Sequence, residues 1–228
     1  MILIGNGRVV TRQEDMPYLE EGCVLVEDNK ISKIGSTKEL LSKYPDSEFI
    51  DAKGGVIMPG LINAHNHIYS TMSRGISVNG YSPKNFLDIL DGMWWNIDRH
   101  LTLTQTKYSA LATYLDCIKN GVTTVFDHHA SYKEISGSLF AIADAAKELG
   151  VRTCLCYEIS DRDGEEKMRE AVKESEDFIH FAQQDSTDMV KAMMGMHASF
   201  TLSSKTLEYC AKHKPEEIGY HIHVAEGM

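Results

Sequence analysis

The sequence predicts an α/β chain, and three observations carry that reading. From about residue 56 onward, short apolar runs alternate with segments whose apolar residues recur at helical spacing, the pattern of βα units around a parallel sheet. Polar and titratable residues gather at the C-terminal ends of at least four of those runs. Both (β/α)8 barrels and open doubly wound sheets place their ligands there. Before residue 56 the runs are short and strand-like, which suggests part of a small β-sandwich. No Gly-x-Gly-x-x-Gly follows any strand, so a dinucleotide site is not supported.

The elements follow in order. Residues 7–11 read as a strand, and 22–27 with 30–34 as a hairpin around Asp28-Asn29. Ser36 and Glu39 stand at capping-box spacing and open a helix to about Lys43. Residues 49–50 and 55–58 look extended, and 61–64 form an apolar strand that ends in His65-Asn66-His67. A less regular stretch, 68–103, contains Trp94-Trp95. Tyr108, Leu111, Ala112, Leu115 and Ile118 make the stripe of an amphipathic helix, stopped at Asn120-Gly121. The β-branched run 122–126 ends in Asp127-His128-His129. Leu139, Ile142, Ala143, Ala146 and Leu149 give the next helix, closed by Gly150. Strand 151–157 ends near Glu158. Helix 163–183 follows, with Asp163 and Glu166 at capping spacing. Strand 190–196 ends in His197, 203–211 is helical, and strand 218–224 leads to Glu226.

Composition narrows the partners. A formal charge of -10 argues against a phosphate-backbone partner and leaves a small molecule or a protein. No apolar run approaches the ~20 residues that cross a bilayer, so no membrane partner is expected. The N-terminus lacks a basic start followed by an apolar core. The five cysteines are odd in number and scattered through predicted elements. Free thiols in a cytoplasmic chain are the simplest reading. Cys154 and Cys156 read as buried strand residues rather than ligands, and Met193, Met194 and Met196 as gap-filling core.

His65 and His67 carry the most information. Side chains at i and i+2 of a strand share a face, so both imidazoles can reach one metal ion. His221 and His223 repeat the pattern far along the chain, and either can ligate by geometry. His128 and His129 close another strand; one is expected at the mouth of the site and the other on the surface. His197 reads as a satisfied core histidine or as a ligand-facing one. Trp94-Trp95 reads as packing or as a pocket wall.

With both clusters at strand ends, the chain resembles the amidohydrolase superfamily, and more narrowly its metal-dependent deaminases and chlorohydrolases of aminated heterocycles. The residues that carry this are Pro59-Gly60-Leu61-Ile62-Asn63-Ala64-His65-Asn66-His67, His197-Ala198-Ser199-Phe200, and His223 with Glu226 three positions later. The resemblance implies a partial (β/α)8 TIM-type barrel of about five βα units in residues 56–228. Residues 1–55 would be the N-terminal part of a β-sandwich. It implies one divalent metal ion, zinc or alternatively iron, on His65, His67 and His223, with His221 outside the ligand set. A single ion is expected because His197 closes the fourth strand, whereas Lys191 lies at its start. Glu226 would shuttle protons, and His197 and His128 would contact a small heterocyclic substrate.

Family members continue for three more strands, which supply a further histidine and a metal-binding aspartate. The chain is therefore expected to be an N-terminal portion, inactive by itself. Three alternatives accompany this reading: a non-catalytic fragment or partner subunit completed by another chain, a homo-oligomer, and a chlorohydrolase of triazine-like rings.

Overall fold

A computed structural model describes residues 1–226 of the chain. The chain forms two compact units, Met1–Gly60 and the remainder from Leu61.

The first unit is built around β1 (Ile2–Val10). β2 (Tyr18–Glu27) pairs with it antiparallel, and β3 (Lys30–Ser36) pairs antiparallel with β2. After α1 (Thr37–Lys43), whose first turn is capped by the Ser36 side chain, β4 (Glu48–Asp51) and β5 (Val56–Ile57) pair with β1 in parallel. β1 begins five residues earlier than the sequence pattern suggests. The reason is that its inward positions include Gly5 and Gly7, which carry no apolar signal. A Cβ at Gly5 would stand 2.8 Å from the Phe49 ring, and one at Gly7 would stand 2.7 Å from Ile57. Neighbouring side chains fill the space that a larger residue would need. Leu3, Cys23, Leu25 and Leu40 form the core of this unit.

The second unit holds a parallel sheet in the order β6 (Leu61–Asn66), β7 (Val122–His129), β8 (Arg152–Tyr157), β9 (Val190–Ala192). β10 (Met194–Ala198) pairs in parallel with β11 (Tyr220–His223). The single strand expected over 190–196 is thus interrupted at Met193. Backbone bonds from Met193 to Leu155 (3.1 Å) and from His197 to Ile159 (2.8 Å) keep the chain beside β8 across the break. Close approach explains the glycine here, since a Cβ on Gly195 would stand 2.1 Å from the Tyr157 carbonyl oxygen.

The irregular stretch after β6 contains a 3₁₀ turn at Ile68–Ser73, then α2 (Phe86–Ile89), a π turn at Leu90–Trp94 and α3 (Trp95–Asp98). Long helices follow the strands: α4 (Leu103–Lys119), α5 (Ser138–Leu149), α6 (Gly164–Gln183) and α7 (Ser204–His213). α4 starts in a Thr102/Gln105 capping box and ends at Gly121, whose φ is +73°. Its orientation corrects the sequence expectation. Tyr108, Leu115 and Ile118 of the apolar stripe are 62%, 45% and 46% exposed, while Thr106, Ser109, Ala110, Thr113, Tyr114 and Cys117 are buried. The buried face is chosen by fit: small residues allow close approach, and the Tyr114 hydroxyl meets that of Thr153 at 2.8 Å. Asp163 also departs from expectation. Its side chain makes no cap bond to α6 and instead accepts from Arg99 Nε at 2.9 Å.

Leu139, Ile142, Leu155, Phe178, Ile179 and Met194 are buried in one core, and all five cysteines are buried and unbridged. Among the described residues no helix is long and apolar enough to cross a membrane.

Two substitutions test this packing. Gly195→Ala should lower stability by about 1–3 kcal/mol, the usual cost of overpacking, read from the urea midpoint. Leu115→Gln should stay within about 0.5 kcal/mol of wild type. A large loss at Leu115 would mean that the apolar stripe of α4 is its packed face after all.

Candidate metal centre

β6 and β11 are 158 residues apart at His65 and His223, yet their C-terminal ends meet. His223 Nε2 lies 3.2 Å from His65 Nε2. One ligand atom from each of His65, His67 and His223 falls within 4.8 Å of the others, a grouping able to hold a metal ion. Two of the rings are fixed from behind. His67 Nδ1–H donates to the His128 carbonyl at 2.8 Å, and His223 Nδ1–H donates to the His197 carbonyl at 2.6 Å. Metal-binding histidines are usually anchored this way, which leaves the other nitrogen as the ligand. His221 stands outside the trio. Its Nε2 meets His65 Nδ1 at 3.0 Å, and its Nδ1 is 3.6 Å from the Cys156 sulfur. Burial, reinforced by His67, His223 and His221, lowers His65 to a pKa of about 4. The ring is therefore neutral at pH 7, the form that binds a metal.

Behind these rings lies a carboxylate that the sequence did not single out. Glu158, 3% exposed, follows β8. Its Oε1 is 2.9 Å from His197 Nε2, and its Oε2 is 3.6 Å from His128 Nδ1 and 3.8 Å from His67 Nδ1. Burial pushes this carboxyl up, but the His197 hydrogen bond and the nearby imidazoles outweigh it and hold the group below the usual carboxylate range. The only sequence signal was an acidic residue at a strand end, and an exposed glutamate looks the same in one dimension.

His197 itself is 3% exposed, with Nδ1 2.8 Å from the Thr201 hydroxyl. His128 is fully buried, and neither ring nitrogen has a hydrogen-bond partner. It lies among the other imidazoles, with its ring centre 4.5 Å from that of His223. His129 is also fully buried, with Nε2 3.0 Å from the Ser131 hydroxyl. This corrects the expectation that one of the pair lies on the surface. β7 runs deeper than its apolar run suggests, so both histidines sit inside its last turn of pairing with β8.

A pocket of about 190 Å³ opens beside the trio. Glu158, His197, His223 and Glu226 line it together with Phe86 and Trp94. Glu226 therefore faces the same space as His197, and Trp94 forms part of its wall. Asp127 lies at the end of β7, next to the turn that follows His67. Its fully buried carboxyl accepts from the Ile68 backbone N–H at 2.6 Å and from the Asn66 amide at 3.4 Å, which fixes the turn directly after His67.

Histidines from the ends of β6 and β11 converge around one point, with a carboxylate in the adjoining pocket, at the ends of parallel strands. Residues 56–227 match the amidohydrolase family, and the chain belongs to it. Among its relatives is the 5-methylthioadenosine/S-adenosylhomocysteine deaminase of Thermococcus sibiricus, 33% identical over 227 residues, covering 99% of this chain and 49% of that protein. The 5'-deoxyadenosine deaminase of Methanosarcina barkeri is 32% identical over 229 residues, with 99% and 49% coverage. Similar solved structures include a zinc- and atraton-bound mutant of the atrazine chlorohydrolase TrzN from Arthrobacter aurescens. Its TM-score is 0.79 at 23% identity, covering 98% of this chain and 52% of that one. E. coli guanine deaminase also has a TM-score of 0.79, at 18% identity, with 99% and 54% coverage. The chain spans about half the length of the curated relatives it matches.

Asp127 predicts a pH dependence. Burial raises its carboxyl from 3.8 to about 8, against the hydrogen bonds from Ile68 and Asn66. The folded state then keeps a proton that the unfolded chain releases above ~4. The contribution of this residue is therefore fully present at low pH and declines as pH rises toward about 8. Asp127→Asn should flatten the fall in thermal midpoint between pH 5 and pH 8. An unchanged slope would show that Asp127 is ionised in the folded protein.

Proposed function

We propose that the chain is the N-terminal portion of a metal-dependent aminohydrolase that deaminates an aminated heterocycle, an adenosine-like purine before a pyrimidine. The observation that carries this is the convergence of His65, His67 and His223 beside a pocket containing Glu226 and His197. The deaminase names of the relatives above 30% identity favour deamination over dechlorination. The second unit is read as about five βα units of a (β/α)8 barrel, and the first as part of a β-sandwich. The order of the parallel strands supports the barrel reading.

One divalent ion fits the site: three imidazole nitrogens, with His67 and His223 anchored through Nδ1, match a donor set for zinc or iron. Such an ion would supply the Lewis acidity that lowers the pKa of water toward ~7. The chain's own residues do the rest. His197, held by Thr201 on one side and Glu158 on the other, presents a fixed ring edge to the heterocycle. Glu226 passes a proton to the ring nitrogen, which makes the amine-bearing carbon electrophilic. Phe86 and Trp94 provide an apolar wall that keeps the flat ring in register. His128, which the sequence suggested as a substrate contact, is instead fully buried and absent from the pocket lining, packed against the His223 ring.

Zinc titration of the metal-free protein should reveal one tight equivalent. His65→Asn or His223→Asn should weaken it by more than about 100-fold, beyond the ~10–100-fold cost of losing an outer partner. Affinity unchanged in both variants would remove the trio as the metal site.

The 228-residue chain by itself is expected to bind ligand without meaningful turnover, since it spans half the length of its relatives. In the zinc-loaded chain, aminated purine nucleosides should quench the fluorescence of Trp94 and Trp95, and His197→Ala should weaken that binding at least ~10-fold. Quenching by chlorinated triazines alone would move the assignment to a chlorohydrolase. Ammonia release near a typical ~10 s⁻¹, abolished by Glu226→Gln, would show that the chain is a working enzyme unaided.

A further inference from the structure

The metal-binding trio consists of three neutral nitrogen donors and includes no anion. These three donors by themselves do not offset a dication's charge, and a buried carboxylate outside the ligand set adds to whatever anionic ligand completes the site. Glu158 is the buried carboxylate in that position. Its partners among the described residues are imidazoles only: His197 at 2.9 Å, His128 at 3.6 Å and His67 at 3.8 Å. Its Oε2 has no hydrogen-bond partner and is sealed from solvent. A buried carboxylate without a cation is costly, and several kcal/mol is typical for an uncompensated ion in a protein interior. The ring of His67 connects the two problems, because it belongs to the trio and its Nδ1 side faces Glu158.

We propose that Glu158 is a positioning residue for the metal centre, the outer carboxylate that offsets the ion's charge through His67 while holding His197 in place for the substrate. The reading rests on the metal site proposed above. It adds that metal affinity and the orientation of His197 depend on one and the same side chain. A second metal ion ligated directly by Glu158, His128 and His67 is the rival arrangement. The observed spacing favours an outer role, because His67 Nδ1 is already committed to the His128 carbonyl at 2.8 Å.

The test is zinc affinity measured by competition with a chromophoric chelator, together with metal counted by mass spectrometry. Glu158→Gln keeps the volume of the side chain and an acceptor for His197 but removes the charge. It should still bind one equivalent, ~10–100-fold more weakly, with its fold checked by circular dichroism. The visible spectrum of the cobalt-loaded form should remain that of the wild type, since the ligands are unchanged. Should Glu158→Gln fail to fold, Glu158→Asp replaces it. Its shorter arm withdraws the charge from His67 and His128, so a several-fold loss is expected. Zinc affinity equal to wild type in the folded Gln or Asp variant would overturn the proposal, as would two equivalents in the wild type that fall to one in the variant. The metal reading fails separately: wild type and His65→Asn would then bind zinc equally or not at all, and the present proposal would fall with it. Tight zinc that is lost on His65→Asn but indifferent to Glu158 sinks only the role assigned to Glu158.

Discussion

The backbone carbonyls of His128 and His197 set what the histidine cluster can do. Each takes the Nδ1 hydrogen of a histidine on the neighbouring strand, His67 in one case and His223 in the other. An imidazole so held has one free nitrogen and one allowed direction. These bonds exist only because of strand register: Asn66 sits opposite Asp127, and His223 opposite Ala198. A slip of one residue in either pair would turn the histidine to the other face of the sheet. The parallel ladders are therefore part of the site, and the chemistry is fixed by backbone pairing before any side chain chooses a rotamer.

The same region separates two buried acids. Asp127 and Glu158 are both buried. Asp127 is met by a backbone N–H and an amide, which do not fully offset burial, and it holds its proton to about pH 8. Glu158 is met by imidazoles, of which His197 is closest, and it gives its proton up. Neutral and ionised carboxyls within one strand end's distance give the fold a structural pin on one side and a fixed negative charge on the other. Environment sets the two roles apart.

Much of this was legible in the sequence. The His65/His67 pair and His223 could be placed at strand ends because their periodicity and the adjoining apolar runs are local signals. The helix cap at Ser36 and the stops at Gly121 and Gly150 are likewise local chemistry. What failed needed long-range information. The outward stripe of α4 is more apolar than the face that packs, and only the fit against Thr71 and Thr153 reveals which side is buried. The need for glycine at 195 arises from its close approach to Tyr157 across the sheet. Glu158 gains meaning only when β6, β7 and β10 bring three imidazoles to it. His129 is interior because of the depth of β7, which its short apolar run does not display.

The thiols make the two units separately observable. Cys23 is shut inside the first unit, whereas Cys117, Cys154, Cys156 and Cys210 are shut inside the second, and none is bridged. Burial also raises the pKa of each, which keeps it as the unreactive thiol. An alkylating reagent therefore meets Cys23, Cys156 and Cys210, the most deeply buried of the five, only when a unit opens. Peptide mapping after timed labelling would then assign each opening event to one unit. Each unit carries, in its own core, a clock for local unfolding.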